Sequence, residues 1–363
     1  MTGGRRLRVA LVFGGRSAEH EVSVASASSV LRALDPGRYD VVPVGIDRQG
    51  RWHLLPGAPA LPPGRDVLLY FSATEGQPVT LARDPGTRAL VREDGAAEPI
   101  DVVFPLLHGP FGEDGTIQGM LELAGVPYVG AGVLASAVGM DKAVQKVLLR
   151  AAGLPVVAHE VVTEGEWRED PEAVAARSEA LGPPLFVKPA GLGSSVGISK
   201  VKAPSDLDPA LAEAFSHGRK ALIEKAAEGA REIECAVLGN DEPVASVPGE
   251  VVAAGEFYDY RSKYLDEGTR LEVPADVPPT VADEVRRMSV AAFRAIDCAG
   301  MARVDFFYRP PGEVVVNEIN TIPGFTEVSM YPKLWEASGL TYADLVDRLV
   351  GLALERHAPE SFE

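Results

Sequence analysis

Val314-Val315-Val316-Asn317-Glu318-Ile319-Asn320-Thr321-Ile322-Pro323-Gly324-Phe325 is the stretch that decides how the chain is read. Apart from Asn317, Glu318 and Asn320 it is apolar or β-branched up to Ile322, and Pro323-Gly324 ends it in a sharp turn. A second strand-like run, Ala302-Arg303-Val304-Asp305, stands upstream, and Arg309-Pro310-Pro311-Gly312 between them is a tight turn. The pattern predicts a hairpin. Side chains alternate along a strand, so Arg303 and Asp305 share a face, as do Glu318 and Asn320. Folding brings the two polar pairs together between otherwise apolar strands. Two carboxylates and an amide oxygen beside an arginine are costly to bury without partners. An all-oxygen set of this kind suits Mg²⁺, which keeps water and binds substrate phosphates. The competing reading is a solvated hairpin with scattered charges, since alternating polar residues are common on strands.

At 363 residues the chain has room for two or three modest domains. A net charge of −17 argues against nucleic acid, because no basic stripe is present to displace counterions. It does not exclude a phosphorylated ligand, which local charge decides. Two cysteines, Cys235 and Cys298, give neither a disulfide framework nor a Cys-rich metal site. Arg5, Arg6 and Arg8 before Val9–Phe13 loosely imitate a signal peptide, but the apolar run is short and meets Gly14-Gly15 without a cleavage site. No apolar stretch reaches transmembrane length. The reading is a cytoplasmic protein with no membrane partner.

Outward from the hairpin, the N-terminal part opens as strand, helix and strand: Leu7–Phe13, Val22–Ala33 and Tyr39–Ile46. This predicts an open parallel sheet. Ser17 is the expected helix cap, and Glu19 is either a helix-start carboxylate or a ligand. The GxGxxG fingerprint of a dinucleotide site is absent. Residues 72–99 read as a surface hairpin insertion. Ile100–Leu107 is a strand running into His108-Gly109-Pro110-Phe111-Gly112-Glu113-Asp114-Gly115, at the carboxyl edge where such sheets bind ligands. His108 is otherwise a hydrogen-bonded loop histidine. Thr116 is placed as the cap of the next helix.

Asp141–Ala152 reads as a helix whose Lys142 and Lys146, one turn apart, suggest a solvated face. Leu185–Pro189 is a strand ending in Lys188 and entering Gly191-Leu192-Gly193-Ser194-Ser195-Val196-Gly197. That loop is not a Walker A loop, since no Gly-Lys-Ser/Thr follows. Its backbone N–H groups can still cover anionic oxygens as a lid. Ala221–Lys225 and Arg231–Leu238 are strands, the latter with Glu232 and Glu234 on one face. Glu256–Leu265, with three tyrosines, a lysine and an arginine, has the composition of a functional loop.

In order, Lys146, Val187-Lys188-Pro189, Gly193–Gly197, Leu222–Lys225, Arg303–Asp305 and Asn317–Asn320 resemble the ATP-grasp ligases. Gly14–Ser23, His108-Gly109 with Gly112–Gly115, Glu256–Tyr264 and Asn320–Gly324 are similar to the D-alanine–D-alanine ligase family within them, over essentially the whole chain. The resemblance implies a three-domain ATP-grasp fold, divided at 1–134, 135–225 and 226–363. It implies ATP, two Mg²⁺ (or Mn²⁺ in their place), D-alanine as substrate, a homodimer, and a role in peptidoglycan synthesis. It places Lys146 and Lys188 on ATP phosphates and Lys263 on the γ-phosphate. Glu224 and the Ala226-Ala227 backbone would meet adenine and Glu232 the ribose, with Ser194, Ser195, Lys225 and Asn317 also at the nucleotide. Asp305, Glu318 and Asn320 would hold the metals, and Arg303 with the Gly324 N–H would form the oxyanion hole. Glu19 would bind the first D-alanine ammonium beside His108, and Ser329 and Lys333 the second carboxylate. Glu19, Ser194 and Tyr264 would tie the loops together. Ala226 departs from the apolar-aromatic residue often found there. Competing readings are a D-alanine–D-lactate or D-alanine–D-serine ligase, and an ATP-binding regulator without catalysis.

Overall fold

The computed structural model describes residues 5–56, 76–193, 196–252 and 270–358. Its strands are β1 Leu7–Gly14, β2 Tyr39–Ile46, β3 Trp52–Leu54, β4 Gln77–Leu81, β5 Ala89–Arg92, β6 Ala97–Pro99, β7 Val102–Pro105, β8 His159–Thr163, β9 Leu185–Pro189, β10 Ser199–Val201, β11 Lys220–Lys225, β12 Arg231–Gly239, β13 Val244–Ala245, β14 Gly249–Val252, β15 Arg270–Glu272, β16 Gly300–Arg309 and β17 Glu313–Asn320. Its helices are α1 His20–Ala33, α2 Thr116–Leu123, α3 Val133–Met140, α4 Lys142–Ala151, α5 Glu164–Glu169, α6 Pro171–Leu181, α7 Leu207–Ser216, α8 Pro279–Ala295, α9 Met330–Ala337 and α10 Tyr342–Arg356.

Three sheets follow one another. The first has the order β6-β5-β4-β3-β2-β1-β7. It is parallel where β1 lies between β2 and β7, as the strand-helix-strand opening predicts. Beyond β2 it continues as an antiparallel meander, so the segment read as a surface insertion is an extension of this sheet. One face of the sheet packs on α2. The other joins α1 and the C-terminal helices α9 and α10 in one core, with Leu11, Phe104, Phe325, Tyr331 and Leu349. The chain's end thereby seals its beginning. The second sheet, β10-β9-β11-β8, is antiparallel and packs on α6 and α7. The third, β15-β14-β12-β16-β17 with β13 beside β12, packs on α8 through Val285, Phe293, Val304 and Val316.

Local signals account for most element ends, with two corrections. Helix α1 begins at His20; Ser17 Oγ instead accepts the Glu19 N–H at 3.2 Å and shapes the turn before it. Helix α2 begins at Thr116, its cap is Gly115 in the left-handed region, and Asp114 Oδ1 accepts the Thr116 N–H at 3.0 Å. At α4, Asp141 is the cap, accepting the Ala143 and Val144 N–H groups at 3.1 and 3.2 Å.

Candidate active site

Strands β16 and β17 pair as the sequence predicts, with Arg303 opposite Asn320 and Asp305 opposite Glu318. The register then slips by one residue between Asp305 and Phe306, leaving Asn317 as an extra residue on β17. Such a bulge breaks alternation and turns two successive side chains to one side. Asn317 and Glu318 therefore both line the cleft, together with Asp305. Strict alternation had offered only Glu318 and Asn320. Asn317 Oδ1 is buried and has no hydrogen-bond partner in the protein.

The charges of this edge are balanced from within. Arg303 Nε and Nη2 donate to Asp305 Oδ1 and Oδ2 at 2.7 and 2.6 Å, and Asn320 Nδ2 donates to Asp305 Oδ2 at 3.0 Å. Glu318 lies 3.0 Å from the Lys142 ammonium, which also donates to the Leu192 carbonyl at 2.9 Å.

Helix α4 supplies that lysine, and its polarity is inverted relative to the expected solvated face. Lys142, Gln145 and Lys146 are buried, while Val144 and Val147 are exposed. Gln145 brackets β17: its Nε2 donates to the Ile319 carbonyl and its Oε1 accepts the Ile319 N–H, both at 3.1 Å. Lys146 is fully buried, with its ammonium 2.7 Å from the Asn317 carbonyl and 3.0 Å from Glu224. Lys188 pairs with the other Glu224 oxygen at 2.5 Å. Of the two α4 lysines only Lys142 reaches the cleft wall, so the lysine expected on phosphates, Lys146, is a strut beneath it. The signal for this was present in the sequence as three polar side chains on one helix face opposed by two valines.

The cleft has a volume of about 600 Å³ between the second and third sheets. Lys188, Glu224, Lys225, Ala226, Ala227, Glu232 and Glu234 also line it. The Ala226 N–H donates to the Pro184 carbonyl at 3.0 Å. Ser194, Ser195, Lys263 and Tyr264 lie outside the described residues.

A second group forms where the first sheet meets the end of the hairpin. His108 is buried, and its Nδ1–H donates to the Ile322 carbonyl at 3.2 Å, which leaves Nε2 to accept from Ser26 Oγ at 3.5 Å. Burial lowers the His108 pKa against the pull of Glu19, so the ring is neutral. Gly109 has φ +71°, and a Cβ there would lie 3.1 Å from Glu19 Oε2 and 3.2 Å from Ser17 Cβ. The left-handed backbone strains any other residue there, and the short distance places the Glu19 carboxylate against this loop. Ser329 caps α9 beside the Gly324 turn; its Oγ accepts the Thr326 N–H at 3.1 Å, and a Cβ on Gly324 would lie 3.2 Å from it. Lys333 follows on the same helix, half-buried.

Glu113 was not singled out from sequence. Its Oε1 accepts the Gly109 N–H at 2.7 Å. Burial, and then the nearby Glu19, push its pKa up to about 8, against the Gly109 N–H and Lys142. A carboxyl held above its unfolded value of 4.5 binds its proton more tightly in the fold. The contribution of Glu113 to stability is therefore full below pH 4.5 and declines as pH rises toward about 8. Glu113→Gln should flatten that decline in urea unfolding between pH 5 and pH 8; an unchanged slope would mean that Glu113 is ionised in the fold.

Two family models match the chain: "D-ala D-ala ligase N-terminus" over residues 8–131 and "D-ala D-ala ligase C-terminus" over residues 148–351. The chain belongs to the D-alanine–D-alanine ligase family. A D-alanine–D-alanine ligase of Deinococcus radiodurans is 51% identical over 96% of this chain and 98% of its own. D-alanine–D-alanine ligase A of Escherichia coli is 49% identical over 98% of both chains. Among solved structures, the D-alanine–D-alanine ligase of Coxiella burnetii superposes with a TM-score of 0.86 at 38% identity, covering 98% of this chain and 95% of that one. VanG, a D-Ala:D-Ser ligase of Enterococcus faecalis, has a TM-score of 0.84 at 35% identity, covering 96% and 100%. The ATP-grasp fold expected from the D-alanine–D-alanine ligase resemblance is thus the fold of this family member.

Proposed function

We propose that this ligase joins two D-alanine molecules into D-alanyl-D-alanine with hydrolysis of ATP to ADP and phosphate, for peptidoglycan precursor synthesis. The observation that carries the reading is that Asp305, Asn317, Glu318, Lys142 and Lys188 line one cleft. A carboxylate is a poor electrophile, so the first D-alanine is phosphorylated to an acyl phosphate. The amine of the second D-alanine, having lost a proton, then attacks the acyl carbon and phosphate leaves.

Each residue has a task in this scheme. Lys142 and Lys188 face the phosphates of ATP, and Lys146 with Glu224 fixes Lys188 from behind. Lys225, the Ala226-Ala227 backbone and Glu232 take the adenosine end. Glu19 receives the first D-alanine ammonium beside the neutral His108, and Ser329 and Lys333 receive the second carboxylate. Arg303 and the Gly324 N–H stabilise the oxyanion, an effect worth about 3–4 kcal/mol per donor. Ser194, Ser195, Lys263 and Tyr264 keep the roles their family pattern implies: Lys263 on the γ-phosphate, and Ser194 and Tyr264 with Glu19 in closing the site against water.

Asp305 on β16 and Glu318 and Asn320 on the paired β17 present two carboxylates and an amide, and the buried Asn317 oxygen adds an acceptor without a partner. Among the described residues no three His, Cys, Asp or Glu side chains form a metal cluster, so protein ligands alone are few. This donor set fits a hard cation that completes its shell with water and phosphate oxygens. When bound, two Mg²⁺ (or Mn²⁺) supply the positive charge that offsets the transferring phosphoryl group.

The three units 1–134, 135–225 and 226–363 are proposed as the domains, one around each sheet, with α10 crossing back to the first. A cytoplasmic setting agrees with two buried free cysteines, and no helix among the described residues is long and apolar enough to cross a membrane. The homodimer is supported by Leu123, Val133, Leu134, Val144 and Val147, large apolar side chains left exposed on the successive helices α2, α3 and α4. Leu134→Asp should give a folded monomer in sedimentation equilibrium. Retention of the dimer would move the interface elsewhere.

Mass spectrometry of products from ATP, Mg²⁺ and a mixture of D-alanine, D-lactate and D-serine tests the reaction. The dipeptide should dominate; a depsipeptide or the mixed D-alanyl-D-serine product would assign the chain to the variant ligases.

A further inference from the structure

Arg303 has two carboxylates and one charge. Its side chain is 15% exposed, held between Asp305, to which it donates two hydrogen bonds, and Glu234, whose Oε2 lies 2.9 Å from its Nε. Glu234 is buried on β12 and stands directly opposite Asp305 in the strand register, two residues along from the Ala236 position that faces Arg303. The two Arg303 bonds and the Asn320 amide occupy both oxygens of Asp305. A cation on that carboxylate would lie against the like-charged guanidinium and compete with it for the same oxygens, and the guanidinium cannot leave into an apolar wall without a counter-charge.

We infer that Glu234 is a positioning residue, a second seat to which Arg303 turns when a divalent cation takes Asp305. The shift needs no new charge in the site and little travel, because one Arg303 nitrogen already touches both carboxylates. It also makes Arg303 available above the hairpin only when the cation is bound. The inference rests on the reading of Asp305 as a metal ligand.

Mn²⁺ binding, read from the free-ion signal in electron paramagnetic resonance at saturating ADP, tests it on the full chain. Glu234→Gln should leave Arg303 on Asp305 and weaken Mn²⁺ binding about tenfold, because the binding-competent arrangement becomes rarer. In an Arg303→Met background the competitor is gone, and the same substitution should change binding by less than about threefold. Equal effects in both backgrounds would reduce Glu234 to a through-space charge and overturn the inference. If Arg303→Met does not fold, Glu234→Asp decides: it keeps the charge but withdraws it from Nε. Weakening like that of Glu234→Gln supports the second seat, and wild-type binding contradicts it. Asp305→Asn separates the two readings, since Mn²⁺ binding unchanged by that substitution would refute the metal assignment itself.

Discussion

Glu318→Gln leaves the fold intact and lowers turnover by about 10²–10³-fold or more, the scale of losing one preorganised electrostatic contact to a transition state. The substitution preserves shape and removes one negative charge from the cleft wall, where Glu318 stands opposite Asp305. It also strips Lys142 of its carboxylate partner at 3.0 Å. Lys142 keeps the Leu192 carbonyl, so its ammonium stays near the cleft rather than collapsing elsewhere. The unfolding midpoint in urea should move little, whereas D-alanine-dependent ADP release should nearly stop. Activity within a few-fold of wild type at saturating Mg²⁺ would remove Glu318 from the metal site.

Glu224→Leu should cost about 3–5 kcal/mol of stability, the range seen when one partner of a buried ion pair is removed. Glu224 neutralises two ammonium groups, that of Lys146, which is fully buried, and that of Lys188 on the cleft wall. Burial acts to raise the Glu224 pKa, but the two lysines prevail and hold it below the usual carboxylate range. Its contribution is therefore present at neutral pH and fades as pH falls through its depressed value. The double variant Glu224→Leu/Lys146→Met should recover much of the loss, because the ion with no route to water is gone and Lys188 can turn to solvent. Urea unfolding of the single and double variants reads both effects. An equal deficit in the two would show that the buried charge of Lys146 is not the source of the cost.

How far the site could be read from sequence depended on whether function lay in local pattern or in packing. The pairing of Arg303 and Asp305 with Asn320 and Glu318 was legible because strand alternation and a Pro-Pro-Gly turn fix their faces. Asn317 was not assigned to a face, because a bulge depends on how the partner strand pairs. The α4 lysines were misjudged for a related reason. Charged side chains on a helix usually face water, and only tertiary contact with Glu224, Glu318 and β17 turns this polar stripe inward. Glu113 lay inside the Gly112–Gly115 run and Glu234 beside Glu232 on one strand face, but neither pattern states a role. Each acquires its role from one neighbour distant in the chain or folded over it, Arg303 for Glu234 and the Gly109 loop for Glu113. The parallel start of the first sheet was legible from its strand-helix-strand order. The sealing of its face by α10 was not, because an amphipathic terminal helix does not state which surface it covers.

The central claim is that the carboxylate of the first D-alanine is activated as an acyl phosphate in this cleft. The direct measurement uses D-alanine labelled with ¹⁸O in its carboxylate, with ATP and Mg²⁺, and mass analysis of the phosphate released. Attack of a carboxylate oxygen on the γ-phosphorus forms the acyl phosphate, and amine attack on the acyl carbon then breaks the C–O bond. The account predicts one ¹⁸O in each phosphate for every dipeptide formed. Dipeptide formation with unlabelled phosphate would contradict it.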